Sequence, residues 1–466
     1  MNTAHEFESL TGQLPQELVS QIFAFSIPPF ASLAPGPDPS YSNTGTLSLV
    51  CNAWKDIALS TPQLWNSFAI QLHSPKFAFT LHRTETHLER SGFLPLAIQI
   101  DMAMNCPDAM FHPILDKLNV HSHRWHTLIL CIPFSLTSRL VGDPSRGASR
   151  LDSLTIRPTR PTIPESRSAS VAFGSRHTQF RPSTITMSGL YLKALNIDWS
   201  HLIDMNIVSL SVEECLQLLR LAPLLRHLKI RSILHNTLAT ASTQVQVTHY
   251  SLETWDLSTP SRLFSSLLWD QLTLPNLTRL NLCDGPCDSL ERLLKRSSCP
   301  LAYFGLHRGS TLGLVPLLSA MPHLKHLYLE NLTSSGDEIA TLCALMALTT
   351  AYPAHSDEST LFLPRLETVQ YYRCPNLVWT TIPSWFPPRE TKPNILYRPL
   401  SDIDIDVYVL PSEMENEAID SDTVSKLLDL IGRGFDLTVN NDTYNADEIG
   451  EPTNFIEDSR RYHAYR

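Results

Sequence analysis

The stretch Pro322-His323-Leu324-Lys325-His326-Leu327-Tyr328-Leu329-Glu330 decides the fold. Leu327 and Leu329 fall on one side of an extended strand, and His326, Tyr328 and Glu330 fall on the other. Pro322 biases the chain before it away from helix and into the extended segment. The same arrangement, apolar at a first, fourth and sixth position, recurs at Trp125/Leu128/Leu130, Leu151/Leu154/Ile156, Leu192/Leu195/Ile197 and Leu225/Leu228/Ile230. It returns at Leu252/Trp255/Leu257, Leu277/Leu280/Leu282, Leu301/Phe304/Leu306 and Leu366/Val369/Tyr371. Five of the eight steps between first positions are 23 to 27 residues long, and Pro223, Pro275, Pro300 and Pro364 punctuate the approach to other copies. Between the copies, the patterning predicts helices over Ser211–Leu221, Asp288–Lys295, Thr311–Ala320 and Asp337–Leu348. One strand with its return helix cannot bury its apolar face alone, so the units must stack on each other.

The expected fold class is therefore α/β, an irregular solenoid of strand–helix repeats over residues 123–436. The repeat length resembles that of leucine-rich repeats. The Asn usual after the strand in that family is largely missing here, so the turns are expected to differ. Two longer steps, of 41 and 42 residues, hold insertions. The first, Arg157–Pro182, carries Arg157, Arg160, Arg167, Arg176 and Arg181 and reads as an exposed, mobile loop. An acidic linker, Ser412–Asp422, leads to a capping helix over Thr423–Ile431 with Asp422 as N-cap. Residues 437–466 read as a disordered tail.

Ahead of the repeats lies a different pattern. Leu14-Pro15-Gln16-Glu17-Leu18 places a proline in a first helical turn, where its missing N–H costs nothing. Leu14, Leu18, Ile22 and Phe23 then predict one inward apolar stripe. A second stripe follows at Leu47, Val50, Cys51, Trp54 and Ile57, and Ser60-Thr61-Pro62 stops it before Gln63-Leu64-Trp65. The Pro-, Ser- and Gly-rich segment Ile27–Gly45 is expected to be a surface loop between the two helices. Residues 10–72 are thus read as a helical module after a tail over 1–9. Residues 73–122 link it to the repeats through a helix at Phe77–Leu88, a strand at Leu94–Ile100 and a helix at Leu115–Ser122.

The order Leu-Pro, Val-Cys-x-x-Trp and Thr-Pro-x-Leu-Trp resembles an F-box, the helical module that docks a substrate receptor onto the SKP-type adaptor of a cullin–RING ubiquitin ligase. With Arg90-Ser91-Gly92-Phe93-Leu94-Pro95-Leu96 and His121-Ser122-His123-Arg124-Trp125, the chain is similar to the large F-box family of mushroom-forming fungi, from about residue 10 to about residue 440. The resemblance implies a receptor with no chemistry of its own, partnered by the adaptor and through it by cullin. Leu14, Pro15, Leu18, Ile22, Val50, Cys51, Trp54 and Trp65 would form or support the adaptor-facing surface. A protein substrate would lie on the concave sheet, over His227, Lys229, Arg231, Arg279, Asn281, Tyr303, His307, His326, Tyr328, Glu330, Gln370 and Tyr372. The rival expectation is a repeat scaffold without a role in ubiquitin transfer; an enzyme with an unrecognised site stands third.

Composition narrows the classes. A net charge of -10 disfavours nucleic acid as the main partner. Hydrophobic residues at 43% and charged residues at 18% suit a folded chain with a sizeable core. Nine scattered cysteines, with no signal-like start and no apolar run long enough to span a bilayer, point to a reduced cytoplasmic or nuclear setting. No phosphate loop, Gly-x-Ser-x-Gly elbow or His-Glu-x-x-His motif occurs, so no cofactor or metal is expected. Two patterns imitate metal sites. Cys283, Cys287, Cys299 and His307 lack the paired spacing of a zinc site. Asp402, Asp404, Asp406 and Glu413 imitate a calcium loop, but Val407 stands where that loop needs glycine, and Ile403, Ile405, Val407 and Val409 alternate as a strand does.

Overall fold

The computed structural model describes residues 14–26, 43–73, 76–102, 108–147, 149–157, 173–175, 177–178, 180–234, 246–259, 262–333, 337–353, 361–373, 377–390, 392–409, 417–441 and 453–464. The chain divides into two units, Met1–Val208 and Ser209–Arg466. Each is mixed α/β and built on a mostly parallel sheet.

The first unit opens with helices over Gln16–Phe25, Asn43–Leu47 and Asn52–Ser60, closed by a 3-10 turn at Pro62–Leu64. Val19, Phe23, Ala58 and Leu64 make a small core on which Leu47, Trp54, Ile57 and Trp65 pack. A parallel sheet follows in the order β1 (Ser67–Leu72), β2 (Leu96–Met102), β3 (Trp125–Cys131), β4 (Ser153–Ile156), β5 (Thr184–Met187) and β6 (Asp204–Ser211). Helices over Phe77–Arg90 and His112–Val120 make the first crossovers that parallel pairing requires.

The second unit repeats the plan over β7 (His227–Leu234), β8 (Val247–Thr248), β9 (Thr254–Thr259), β10 (Leu272–Thr273), β11 (Arg279–Cys283), β12 (Tyr303–His307) and β13 (His326–Glu330). It continues through β14 (Ala351–Pro353), β15 (Thr368–Tyr372), β16 (Ile395–Tyr397), β17 (Asp402–Val407), β18 (Asp436–Asn441) and β19 (Thr453–Asn454). The main sheet runs β7-β9-β11-β12-β13-β15-β17-β18-β19, while β8 with β10 and β14 with β16 form two small side pairs. Register aligns Leu228, Trp255, Leu280, Phe304, Leu327, Val369, Ile403 and Leu437 in one buried row, and Ile230, Leu257, Leu282, Leu306, Leu329, Tyr371, Ile405 and Val439 in the next. These rows are the fourth and sixth positions of the sequence repeat; each such side chain contributes about 1.5–3 kcal/mol of burial.

A shared turn replaces the missing Asn. The residue after β11, β12, β13 and β15 is Asp284, Arg308, Asn331 and Arg373, and all four take the left-handed conformation, at φ 55, 51, 49 and 49. Each uses its N–H to reach the next strand's carbonyl, at His307, Glu330, Tyr372 and Asp406. That bond offsets the roughly 1–2 kcal/mol a non-glycine residue costs there.

Several expectations need correction. Leu192/Leu195/Ile197 is not a sheet strand: Leu192–Ala194 is a 3-10 turn, and Leu195 and Ile197 make only isolated bridges to Phe173 and Phe180. The strands there are β5 and β6, whose ladder leaves no place for a third. Ser67–Leu72, assigned to the helical module, pairs with β2 as a strand, so the sheet starts before residue 123. The described part of the insertion Arg157–Pro182 is not loose: Phe173 and Phe180 are buried, and Phe180 stacks on Trp125 at 5.7 Å. Arg160, Arg167 and Arg176 lie outside the described residues, and Arg181 pairs with Asp198 at 3.1 Å. Asp420, not Asp422, caps the helix Ser421–Gly432, because its carboxylate accepts from the Thr423 N–H; Asp422 instead pairs with Lys426. In the expected tail, β18 continues to Asn441, and the helix Phe455–Ala464 buries Phe455 and Ile456. The helix Arg262–Trp269 was not expected.

Candidate functional site

Two surfaces hold the residues singled out by the sequence. The first is the helical module. Its helix Gln16–Phe25 has two apolar sides. Val19 and Phe23 are buried, and Phe23 meets Trp54 at 4.9 Å between ring centroids. Leu14, Leu18 and Ile22, expected to face inward, are instead 41%, 46% and 52% exposed, and Phe25 is 88% exposed. These four follow each other at steps of four, four and three residues, which puts them on one side of the helix axis. Pro15 is exposed at its start.

Val50 and Leu49, in the turn before the helix Asn52–Ser60, are also exposed, Leu49 at 87%. Cys51 caps that helix, its Sγ accepting from the Trp54 N–H at 3.4 Å. The stripe read from Leu47 to Ile57 therefore divides: Leu47, Trp54 and Ile57 pack on the core, while Val50 and Cys51 face outward. Trp65 supports from within: its Nε1 donates to Ala58 O at 2.9 Å, and Arg90 lies over its ring at 5.0 Å. Of the eight expected adaptor residues, Leu14, Pro15, Leu18, Ile22, Val50 and Cys51 are thus surface and Trp54 and Trp65 are half-buried packing. Phe25 and Leu49 were missed, although Phe25 lies seven residues after Leu18, two helical turns along the same stripe.

The second surface is the polar face of the second unit's sheet. His227, Lys229, Arg231, Arg279 and His326 are exposed, and Asn281, Tyr303, His307, Tyr328, Glu330, Gln370 and Tyr372 are half-buried. Every one sits on the face opposite the two apolar rows, as the alternation requires. Register brings Asn281, His307, Tyr328, Glu330, Gln370 and Tyr372 into one cluster and sets Arg279 against Tyr303. His307 Nδ1 donates to Glu330 Oε2 at 2.5 Å, and its Nε2 faces Asn281 Oδ1 at 2.9 Å. Tyr328 OH donates to the same Glu330 oxygen at 2.9 Å, and Tyr372 OH donates to Asp404 Oδ2. Arg279 stacks over the Tyr303 ring at 3.6 Å. The rings of His307, Tyr328 and Tyr372 follow in sequence at 4.7 and 5.3 Å.

Gly305 permits this arrangement: a Cβ there would collide with Asn281 Oδ1, so only glycine leaves Asn281 room to lie across β12 toward His307. Burial alone would raise the Glu330 pKa, but the His307 and Tyr328 hydrogen bonds outweigh it and hold the carboxylate below its usual value. Burial, then the bonds to Glu330 and Asp404, push the Tyr328 and Tyr372 hydroxyls up, so they stay protonated donors. The face also carries Asp402, Asp404 and Asp406, the aspartates of the calcium-loop pattern, and Asp436, the register partner of Asp402. The first three lie on a strand, not a loop, and Glu413 is outside the described residues. Among the described residues no group of three or more His, Cys, Asp and Glu is placed to hold a metal. Cys283 and His307 are register partners, but His307 is engaged with Glu330 and Asn281, and Cys287 is buried on a helix.

No protein-family model matches the chain, and no curated protein matches it. Among the described residues, no helix is long and apolar enough to cross a membrane.

Proposed function

We propose that this chain is a non-catalytic substrate receptor of an SCF-type cullin–RING ubiquitin ligase. Its N-terminal helices would dock the SKP-type adaptor, and the repeat sheet, a leucine-rich-repeat-like solenoid, would hold a protein substrate. The observation that carries the reading is the split of the first helix. Val19 and Phe23 satisfy the module's own core, yet Leu14, Leu18, Ile22 and Phe25 remain outside it with Leu49 and Val50. A set of exposed large apolar side chains on one small module marks an interaction surface, and helix-against-helix burial with a few anchors is how such a surface binds. The resemblance of the Leu-Pro and Val-Cys-x-x-Trp pattern to an F-box supports an SKP-type adaptor as the partner.

The test is co-purification of the full chain with purified SKP-type adaptor, beside a Leu18→Asp/Ile22→Asp variant. Because both residues lie outside the core, the variant is expected to keep its melting profile, within about 1 kcal/mol for two surface changes. Stoichiometric binding by the wild type and none by the variant is the expected result. A folded wild type that ignores the adaptor would overturn the reading and leave a repeat scaffold.

A further inference from the structure

The polar sheet face is not evenly charged. Lys229 and Arg231 stand on β7, whereas Asp402, Asp404 and Asp406 stand on β17 and Asp436 beside them on β18. Glu330 adds a carboxylate two strands away, and the basic residues that register and hydrogen bonding place at this end include His326, Arg308 and Arg373. Crowding there is physical: burial, then Asp436 and Asp404, raise the Asp402 pKa from its ordinary value. Among the described residues, Asp404 Oδ1 is buried with no hydrogen-bond partner. Against the acidic row lie the rings of Tyr328 and Tyr372, tilted at 54° to each other, and aromatic faces attract ammonium and guanidinium groups.

We propose that this end of the face docks an extended, lysine- or arginine-bearing segment of a protein partner. Resting on the receptor reading above, it identifies the chemical class of segment the substrate must offer. The match is geometric as well as electrostatic. Asp402, Asp404 and Asp406 alternate along one strand, so their carboxylates repeat at about 6.6–6.8 Å. An extended partner has the same repeat along each of its sides, so basic residues at every second position meet the three aspartates one to one. A side chain over Tyr328 and Tyr372 would bring its cation within reach of Asp404, which Tyr372 already touches. Lys229 and Arg231 on β7, six strands from β17 in the sheet order, disfavour a cationic segment there and confine it to β15–β18.

The experiment is fluorescence anisotropy on the full chain with a labelled twelve-residue peptide of alternating lysine and serine, and a glutamate–serine counterpart. The lysine peptide is expected to bind and the glutamate peptide not to. Asp402→Asn/Asp404→Asn/Asp436→Asn is expected to weaken binding about tenfold or more. Tyr372→Leu, which removes a ring without changing charge, is expected to weaken it by a smaller factor. Equal binding by wild type and the triple variant would overturn the proposal. So would absence of lysine-peptide binding in a preparation that still captures the adaptor, and that result would leave the receptor reading standing. A preparation that binds the lysine peptide but not the adaptor would sink the receptor reading alone.

Discussion

Acidification should destabilise the first unit, and His87 should carry a separable share of that loss. His87 lies in the helix Phe77–Arg90, is 3% exposed, and stacks on Phe68 at 4.6 Å. Its Nδ1 donates to Trp65 O at 3.1 Å. Burial pulls its pKa from 6.5 down to about 4, the Trp65 bond opposes that, and Arg83 adds to the fall. Since the folded value is the lower one, the unfolded chain takes the proton first. The stabilisation is complete above pH 6.5, is lost progressively as pH falls from 6.5 to 4, and changes no further below that. A difference of roughly 2.5 pH units corresponds to about 3.4 kcal/mol at most, of which about 2 kcal/mol is lost between pH 7 and pH 5. The assay is urea unfolding followed by tryptophan fluorescence at both pH values, for the wild type and His87→Gln. Glutamine can still donate to Trp65 O but does not titrate, so the variant starts less stable and falls by about 2 kcal/mol less on acidification. Equal pH dependence in the two proteins would refute the assignment, because His121, whose pKa is also lowered to about 4, is present in both.

Two further perturbations probe the second unit. Arg398 is buried and donates to the carbonyls of Leu363, Met346, Thr349 and Phe362 and to Thr349 Oγ1. Arg398→Met leaves those acceptors without their partner and is expected to cost about 3–5 kcal/mol in urea unfolding; a loss below about 1 kcal/mol would mean water replaces the guanidinium. Gly305→Ala is expected to cost about 1–3 kcal/mol and to expel Asn281 from His307. The check is the His307 ring NMR signal, which should shift as it does in Asn281→Ala; an unmoved signal would contradict the close approach at β12.

The repeat was legible because its signal is redundant. Each strand buries its fourth and sixth positions, so Leu280 and Leu282 or Leu327 and Leu329 announce both the strand and its inward face. The same alternation placed His307, Tyr328 and Tyr372 together on the outer face. It misled at Leu192/Leu195/Ile197, where buried apolar spacing serves a 3-10 turn instead. Spacing alone carries no information about which neighbour completes the sheet. The shared left-handed turn was illegible, since Asp284, Arg308, Asn331 and Arg373 have little side-chain chemistry in common and owe that conformation to the backbone bond each makes.

In the helical module, periodicity located the helix Gln16–Phe25 but merged its two apolar sides. Leu18 and Val19 are equally hydrophobic, and only the packing of Ala58 and Leu64 shows which of them is core. The tail was misread because Phe455 and Ile456 are a brief apolar signal inside a polar stretch.

The most direct test of the account is hydrogen–deuterium exchange of the full chain with and without the SKP-type adaptor. The account predicts new protection confined to the helix Gln16–Phe25 and to the turn and helix from Leu49 to Ser60, with exchange over β7–β18 unchanged. No protection in either segment, or protection appearing on the repeat sheet instead, would contradict it.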